Sequence, residues 1–131
     1  MIRKREIRIL VGMFLLLVVA GGCSEDKTGL LLNGTWHVEE NSQLYGTSHY
    51  DADISQIDSA KIEITNFYNI GLGSYVTAYV NGLEIAIPSQ SVKGYDLKGS
   101  GEISADKNSI LFTFTANDGA VIDHVIAQYK R

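Results

Sequence analysis

The sequence predicts an all-β fold, an antiparallel up-and-down meander of seven to eight strands forming a small barrel or sandwich. Three observations lead to this prediction. Apolar and polar residues alternate with a period of two in several segments, clusters of Gly, Asn, Asp and Ser separate those segments, and no amphipathic helical pattern follows residue 22. Short strands joined in sequence order favour a meander that closes on itself.

Alternation identifies the buried face of three strands, because successive side chains of a strand point to opposite faces. A further strand is expected at about residues 49–54, after a loop that begins near residue 41, and a last one runs from about residue 121 to 129. The residues predicted to point inward in the three clear strands are Trp36, Val38, Ile62, Ile64, Ile110, Phe112 and Phe114.

Asn81-Gly82 predicts a hairpin turn, since Asn-Gly readily supplies two consecutive residues with positive φ. A turn centred there pairs Val80 with Leu83 and places the apolar residues of both strands on one face. Pro88 is expected to end the second strand, because it lacks a backbone donor.

The next predicted strand covers residues 94–104 and contains Gly99 and Gly101, at which a bulge or a bend is expected.

The first 22 residues have the pattern of an export signal. Arg3, Lys4 and Arg5 precede eleven uncharged residues at 9–19, and small residues follow. The apolar run is too short for a comfortable membrane span, which needs about 20 residues. A retained anchor is the alternative interpretation.

Residues 20–23, Ala-Gly-Gly-Cys, resemble the lipobox of bacterial lipoproteins. The resemblance implies cleavage before Cys23 and its acylation, with palmitate and diacylglycerol as the expected lipids; a secreted protein with a stray thiol is the alternative. Ser24, Glu25 and Asp26 are similar to the acidic export signal of Bacteroidetes-type surface lipoproteins, or they form a solvated tether. The expected organisation is a signal peptide (1–22), an acylated cysteine and tether (23–29), and one β domain (30–131).

Composition bounds the function of the exported part. After residue 22 the chain has 7 basic and 14 acidic residues, a net charge of about −7. No basic run remains, so the sequence lacks the cationic footprint that nucleic-acid binding requires. With Cys23 acylated, the β domain contains no cysteine for a disulfide and must be stabilised by its hydrophobic core.

Three stretches, at residues 61–71, 80–104 and 110–119, are similar to a group of small Bacteroidetes-type lipoproteins of unassigned function. This group looks lipocalin-like, or calycin-like. Gly34-Thr35-Trp36 also resembles the Gly-x-Trp start of lipocalins, in which the tryptophan plugs the barrel base. The resemblance implies a fold and an envelope location and no particular reaction.

No catalytic or metal-binding pattern is recognisable. His37, His49 and His124 do not share a metal-ligand spacing, so no metal site is expected. Serines are plentiful, but the Gly-x-Ser-x-Gly context of a hydrolase nucleophile does not occur. The sequence therefore predicts a protein that is not an enzyme and needs no cofactor, with a small hydrolase as a distant alternative.

Aromatic residues indicate one candidate binding surface. Tyr75 and Tyr79 fall on the face of their strand opposite the apolar residues, and Thr77 and Glu84 share that face. Exposed tyrosines of this kind can form a platform for sugar rings or a partner protein. The alternative is ordinary strand tyrosine covered by a neighbouring loop.

The sequence thus predicts an outer-membrane lipoprotein that binds a small apolar or glycan ligand. The acidic residues after Cys23 further predict that it is exposed at the cell surface. The alternative is a protein-interaction element, such as an accessory subunit of an outer-membrane complex or an inhibitor. A cavity of about 300 Å³ or more lined by inward residues would favour the ligand binder. A barrel filled by Trp36, Ile64, Phe112 and Phe114 is the expected outcome, and it would leave surfaces and loops for binding.

Overall fold

A computed structural model describes residues 30–131 as an eight-stranded antiparallel barrel. Each strand pairs with the next one along the chain, and β1 also pairs with β8, which closes the barrel. The predicted meander is confirmed, and it is a barrel. The strands are β1 (Gly34–Ser42), β2 (Gly46–Gln56), β3 (Lys61–Thr65), β4 (Tyr75–Asn81), β5 (Glu84–Val92), β6 (Tyr95–Ile103), β7 (Ser109–Asn117) and β8 (Ile122–Lys130), with short 3-10 helices η1 (Leu30–Leu32) before β1 and η2 (Phe67–Asn69) between β3 and β4.

The predictions for the signal peptide, Cys23, its tether and the export signal Ser24, Glu25 and Asp26 lie outside the described residues. Among residues 30–131, neither helix is long and apolar enough to cross a membrane.

The core lies inside the barrel and is built by the predicted alternation. All seven residues predicted to point inward are at most 3% exposed. Phe112 packs at 5.8 Å from Phe67 and at 4.7 Å from Tyr129, ring centroid to centroid, with steeply inclined planes. Such edge-to-face contacts add to the gain from burying the rings themselves.

The end of the barrel at which β1 begins, called the base, is closed by Trp36. Its indole Nε1 donates a hydrogen bond to the Leu32 carbonyl at 2.9 Å. The Arg131 guanidinium carbon lies 4.3 Å from the Trp36 ring centroid, a cation–π geometry. Arg131 also donates to the carbonyls of Leu31, Asn33 and Lys107, so its side chain joins the segment before β1 and the β6–β7 turn to the end of β8.

The β4–β5 hairpin forms, but its predicted register is wrong. Val80 pairs with Ile85 and Asn81 with Glu84, so the two turn residues are Gly82 and Leu83. Gly82 has φ 62° while Leu83 is not among the residues with positive φ, a combination typical of a type II′ turn. This turn requires a single positive φ, which glycine supplies, and it leaves Leu83 exposed.

The prediction that Pro88 ends β5 is also wrong. β5 continues to Val92, because a register shift between Ile87 and Gln90 leaves Pro88 outside the β5–β6 ladder. The Gln90 side chain binds the backbone of β4 there: Thr77 N donates to Gln90 Oε1 at 2.9 Å, and Gln90 Nε2 donates to Thr77 O at 2.8 Å. The Gln90 side-chain amide thus makes the hydrogen bonds to Thr77 that the backbone of a neighbouring strand would otherwise make.

β1 and β2 are longer than predicted. They form a hairpin whose pairing runs from Gly34 with Ile54 to Ser42 with Gly46, across segments expected to be partly loop. Gly99 and Gly101 pair with β7 without a register shift, and the shift next to Gly99 lies in the neighbouring strand β5, between Ile87 and Gln90. Instead they allow close approach, because a Cβ at Gly101 would lie 2.7 Å from the ring of Phe112.

Candidate ligand-binding site at the barrel mouth

The end of the barrel opposite the base, called the mouth, contains a pocket of about 430 Å³. Strand alternation points Glu40, Ser42, Ser48 and Tyr95 inward at this end. Tyr68, from η2, reaches the same space. The pocket is lined by Glu40, Ser42, Tyr45, Gly46, Ser48, Tyr68, Asn69, Ile70, Lys93 and Tyr95.

Glu40 is a buried carboxylate in the wall of this pocket. The residue is 4% exposed, and its Oε1 accepts a hydrogen bond from Tyr50 OH at 2.7 Å. No other hydrogen bond within residues 30–131 reaches its carboxylate, and Oε2 is not among the fully enclosed unpaired atoms. Burial raises the pKa of Glu40; the Tyr50 hydrogen bond opposes this rise, and the charge of Asp123 adds to it.

Asp123 is the second buried acid at the mouth, and its hydrogen bonds are more complete. Its Oδ2 accepts from Ser42 Oγ at 2.5 Å and from Tyr68 OH at 2.7 Å, and its Oδ1 accepts from Leu44 N at 3.1 Å. Burial acts to raise the pKa of Asp123, but these donors outweigh burial and hold the pKa below its ordinary value. The ionised carboxylate joins β8, the β1–β2 turn and η2.

Tyr68 reaches the mouth through an unusual backbone conformation. Its φ is 57°, in the left-handed region that bulky residues rarely adopt. The ring stands edge-on to Tyr95 at 5.3 Å and to Phe114 at 5.8 Å, and burial with the Asp123 contact raises the pKa of the hydroxyl. Such strain persists where surrounding contacts hold it, and it is frequent at binding sites.

A tyrosine pair lies next to Glu40. The Tyr129 hydroxyl is fully buried and makes no hydrogen bond of normal geometry within the described residues, although it approaches the Tyr50 hydroxyl. Burial raises the pKa of both phenols. Glu40, Tyr50 and Tyr129 therefore form a polar cluster at the upper edge of an otherwise apolar core.

The barrel is filled beneath this cluster. Trp36, Ile64 and Phe112 are 0% exposed and Phe114 is 3% exposed, which confirms the expected filled barrel. The mouth pocket is therefore an opening above a solid core, and it has the volume of a small-ligand site.

The surface predicted from the sequence lies on the outer wall. Tyr75 and Tyr79 are about half exposed, Thr77 is half-buried, and Glu84 is exposed on β5. Tyr79 and Glu84 line one hollow of about 440 Å³, whereas Tyr75 and Thr77 do not line it. The four residues share a face, as predicted, but only two of them meet in one hollow. Their role in binding stays a prediction.

The outer wall has a second, wider hollow and one exposed acid–base pair. A wider hollow of about 830 Å³ runs across β5 to β8 and the end of β1, lined partly by Lys98, Ile126 and His124. It lacks the buried carboxylate of the mouth. His37 Nδ1 lies 2.7 Å from Asp51 Oδ1 in an exposed pair. Within residues 30–131, no three His, Cys, Asp or Glu side chains are placed to hold a metal ion.

Sequence reasoning missed the mouth residues Glu40, Tyr68 and Asp123. One of them carried a usable signal: Glu40 continues the inward phase of Trp36 and Val38, whereas Asp123 precedes residues of β8 whose inward phase is visible only in the structure. An acid in the inward phase of a strand must find donors or a ligand. Tyr68 had no such signal, because its position depends on the η2 backbone.

The comparisons with known proteins concern the fold. No protein-family model matches the chain, and no curated protein matches its sequence. Among solved structures, a redesigned β-barrel is similar with TM-score 0.57 and 16% identity over 80% of this chain and 95% of that one. The structure of EF1p2_mFAP2b bound to DFHBI is similar with TM-score 0.58 and 18% identity over 82% and 99% of the chains.

A third structure, a "putative outer membrane protein" from Bacteroides fragilis NCTC 9343, has TM-score 0.48 and 14% identity over 81% of this chain and 53% of that one. This similarity is too weak to carry an argument. At these identities the comparisons show a small β-barrel fold and nothing finer.

Proposed function

We propose that this chain is a lipid-anchored envelope lipoprotein whose barrel binds a small polar ligand at its mouth, without catalysis. The observation that carries the binding proposal is the mouth pocket, in which the buried Glu40 leaves one carboxylate oxygen without a protein donor. That oxygen is not fully enclosed, so a ligand that donates to it would replace water, and hydrogen bonds to a charged acceptor are stronger than those between neutral groups.

The lining favours a glycan-type ligand over an apolar one. Ser42, Ser48 and Asn69 offer hydroxyl and amide groups around the pocket, and Tyr68 and Tyr95 offer aromatic faces. An apolar ligand would require open apolar volume, and the core below the mouth is filled. The similar structure of EF1p2_mFAP2b is bound to DFHBI, which is in keeping with a ligand-binding barrel; its 18% identity leaves the ligand of this chain open.

A filling substitution tests this proposal. NMR chemical-shift mapping of the full chain in detergent, titrated with simple hexoses, should shift backbone signals of Ser42, Ser48 and Tyr68 while the Trp36 indole at the base stays unchanged. Ser48→Trp, which places a large ring inside the mouth, should abolish these shifts. Thr47→Trp is the matched control, because residue 47 is exposed on the outer face of the same strand. Sugar-induced shifts confined to the outer wall would contradict the proposal.

The lipid anchor and the outer-membrane location are proposed from the sequence around Cys23. Several acyl chains on one residue exceed the two signals that stable anchoring needs. Mass spectrometry of the natural protein should find an acylated Cys23 at its amino terminus, and Cys23→Ser should release the protein from the membrane fraction. Replacing Ser24, Glu25 and Asp26 by alanine should reduce surface exposure. An intact leader or a free thiol would contradict the anchor.

A protein partner in the envelope is the second candidate function. The observation that favours it is the exposure of two outward tyrosines on one strand, 51% for Tyr75 and 47% for Tyr79. Tyrosine is enriched at binding hot spots. If this face docks a partner together with Thr77 and Glu84, Tyr75→Ser/Tyr79→Ser should eliminate a specific cross-linked complex that Ser48→Trp retains. Retention of the complex by the tyrosine variant would count against this face.

A further inference from the structure

We propose that the mouth pocket selects ligands that carry a protonated amine, with Glu40 as the counter-ion of the ammonium group. This inference rests on the proposed function, because it names the chemistry of the ligand that the same pocket binds.

Two buried acids at the mouth lack a basic partner among residues 30–131. Glu40 and Asp123 are 4% and 1% exposed and lie at the same end of the barrel. Among residues 30–131, the one acid–base contact within 4.0 Å joins His37 and Asp51 on the outer wall. A buried ionised carboxylate is ordinarily paired. With both carboxylates ionised, the mouth has an excess of negative charge that a cation would offset.

The two acids differ in how completely their carboxylates are hydrogen-bonded. Asp123 accepts three hydrogen bonds, from Ser42, Leu44 and Tyr68, and needs no further donor. Glu40 accepts one, from Tyr50, and its side chain lines the pocket. A ligand in the pocket can therefore reach the Glu40 carboxylate while Asp123 contributes its charge from behind the wall.

The lining of the pocket is rich in aromatic residues. Tyr45, Tyr68 and Tyr95 border the pocket on several sides. Aromatic faces attract cations, and the attraction is stronger where water is displaced. A neutral sugar would use these rings for stacking alone, whereas an ammonium group would gain from the rings and from the carboxylate.

Lys93 is the one basic side chain in the lining, and it lies at the rim. It is exposed, and its Nζ approaches Gly71, on the loop that carries η2. Charge at the exposed rim is screened by solvent and salt. Lys93 therefore disfavours a cationic ligand only weakly, and its removal should strengthen the binding of an amine.

Three matched probes test the inference: glucosamine, glucose and N-acetylglucosamine, which differ at one ring position in having an amine, a hydroxyl or a neutral amide. Each is titrated into the full chain in detergent by NMR at a pH below the pKa of the amine. Glucosamine should bind about tenfold more tightly than either neutral sugar, as expected for one hydrogen bond to a charged group.

Two variants assign this preference. Glu40→Gln keeps the size of the side chain and the acceptor for Tyr50, and it should remove the preference for glucosamine. Glu39→Gln removes the same charge from the exposed neighbouring position and should retain it. Lys93→Ala should increase the ratio of the affinity for glucosamine to the affinity for glucose.

The outcomes separate this inference from the proposed function. Equal binding of the three sugars, or a preference for glucosamine that survives Glu40→Gln, overturns the proposed selection of an amine and leaves a polar ligand site at the mouth. If none of the three sugars binds, both the proposed selection of an amine and the glycan-type site are contradicted. If Glu40→Gln fails to fold, the wild-type comparison of the three probes still decides.

Discussion

The substitution Gly101→Ala should destabilise the barrel because it adds a methyl group against a ring that cannot move. The new Cβ would lie 2.7 Å from Cδ1 and Cε1 of Phe112, about 1 Å closer than ordinary carbon contacts. The ring is completely buried and is held between Phe67 at 5.8 Å and Tyr129 at 4.7 Å. Overpacking of this kind costs about 1–3 kcal/mol.

The loss should depend on the ring at position 112. Phe112→Leu makes room for the methyl group, so the double variant should be more stable than the sum of the two single losses predicts, by about 1 kcal/mol or more. Gly99 provides the contrast, because a Cβ there would overlap the Thr113 carbonyl oxygen and lie 2.5 Å from Phe114 Cβ. The backbone of β7 cannot move away from Gly99 without breaking its hydrogen bonds to β6. Phe114→Leu, which changes only the side chain beyond Cβ, should therefore not restore the stability lost in Gly99→Ala.

Urea and thermal unfolding followed by circular dichroism measure these differences, and each kcal/mol should lower Tm by about 4–8 °C. Gly73→Ala is the control, since nothing lies within 4 Å of its Cβ position; its stability should change by about 0.5 kcal/mol or less. A stable Gly101→Ala, or additive losses with Phe112→Leu, would refute the close-approach explanation.

Three further predictions concern polar contacts. Asp123→Asn should lose about 2 kcal/mol at neutral pH, because the hydrogen bonds to a charged acceptor weaken. Since the folded-state pKa of Asp123 is lowered, its contribution is present above the ordinary value of 3.8, and acid unfolding curves should converge with wild type as the pH falls below that value. Arg131→Ala should cost about 2 kcal/mol of stability, because the carbonyl and cation–π contacts at the base are lost. Lys130→Ala, on the exposed face, should be near neutral. Equal losses of stability would contradict the role of Arg131 at the base. Gln90→Ala should cost about 1–2 kcal/mol and speed amide exchange at the backbone it binds in β4, and unchanged exchange there would argue against that contact.

The fold was predictable where alternation was uninterrupted. Trp36 and Val38 alternate with polar neighbours, and Ile110 and Phe112 keep the same period of two although Leu111 lies between them. A one-residue slip would have exposed the whole set, so their inward placement follows from sequence. The hairpin register was not predictable from Asn-Gly, because a type II′ turn uses the glycine at a different turn position.

The mouth was harder to predict because its parts are far apart in the chain. Glu40 lies in β1, Tyr68 in η2 and Asp123 in β8, and only closure of the barrel brings them together. In the sequence, Glu40 continues the inward phase of Trp36 and Val38, whereas the inward phase of Asp123 is visible only in the structure. The positive φ of Tyr68, which turns the ring over the opening, depends on contacts that periodicity does not encode.

The position of η1 has a consequence for orientation. This helix lies at the closed base, where the Leu32 carbonyl accepts a hydrogen bond from Trp36, so the chain enters the barrel at the end opposite the pocket. Six residues lie between Cys23 and Leu30, so the seven Cα–Cα steps span at most about 25 Å. Under the proposed anchoring, the base would be held close to the bilayer and the mouth would face away from it, where it is accessible to solutes in the surrounding medium.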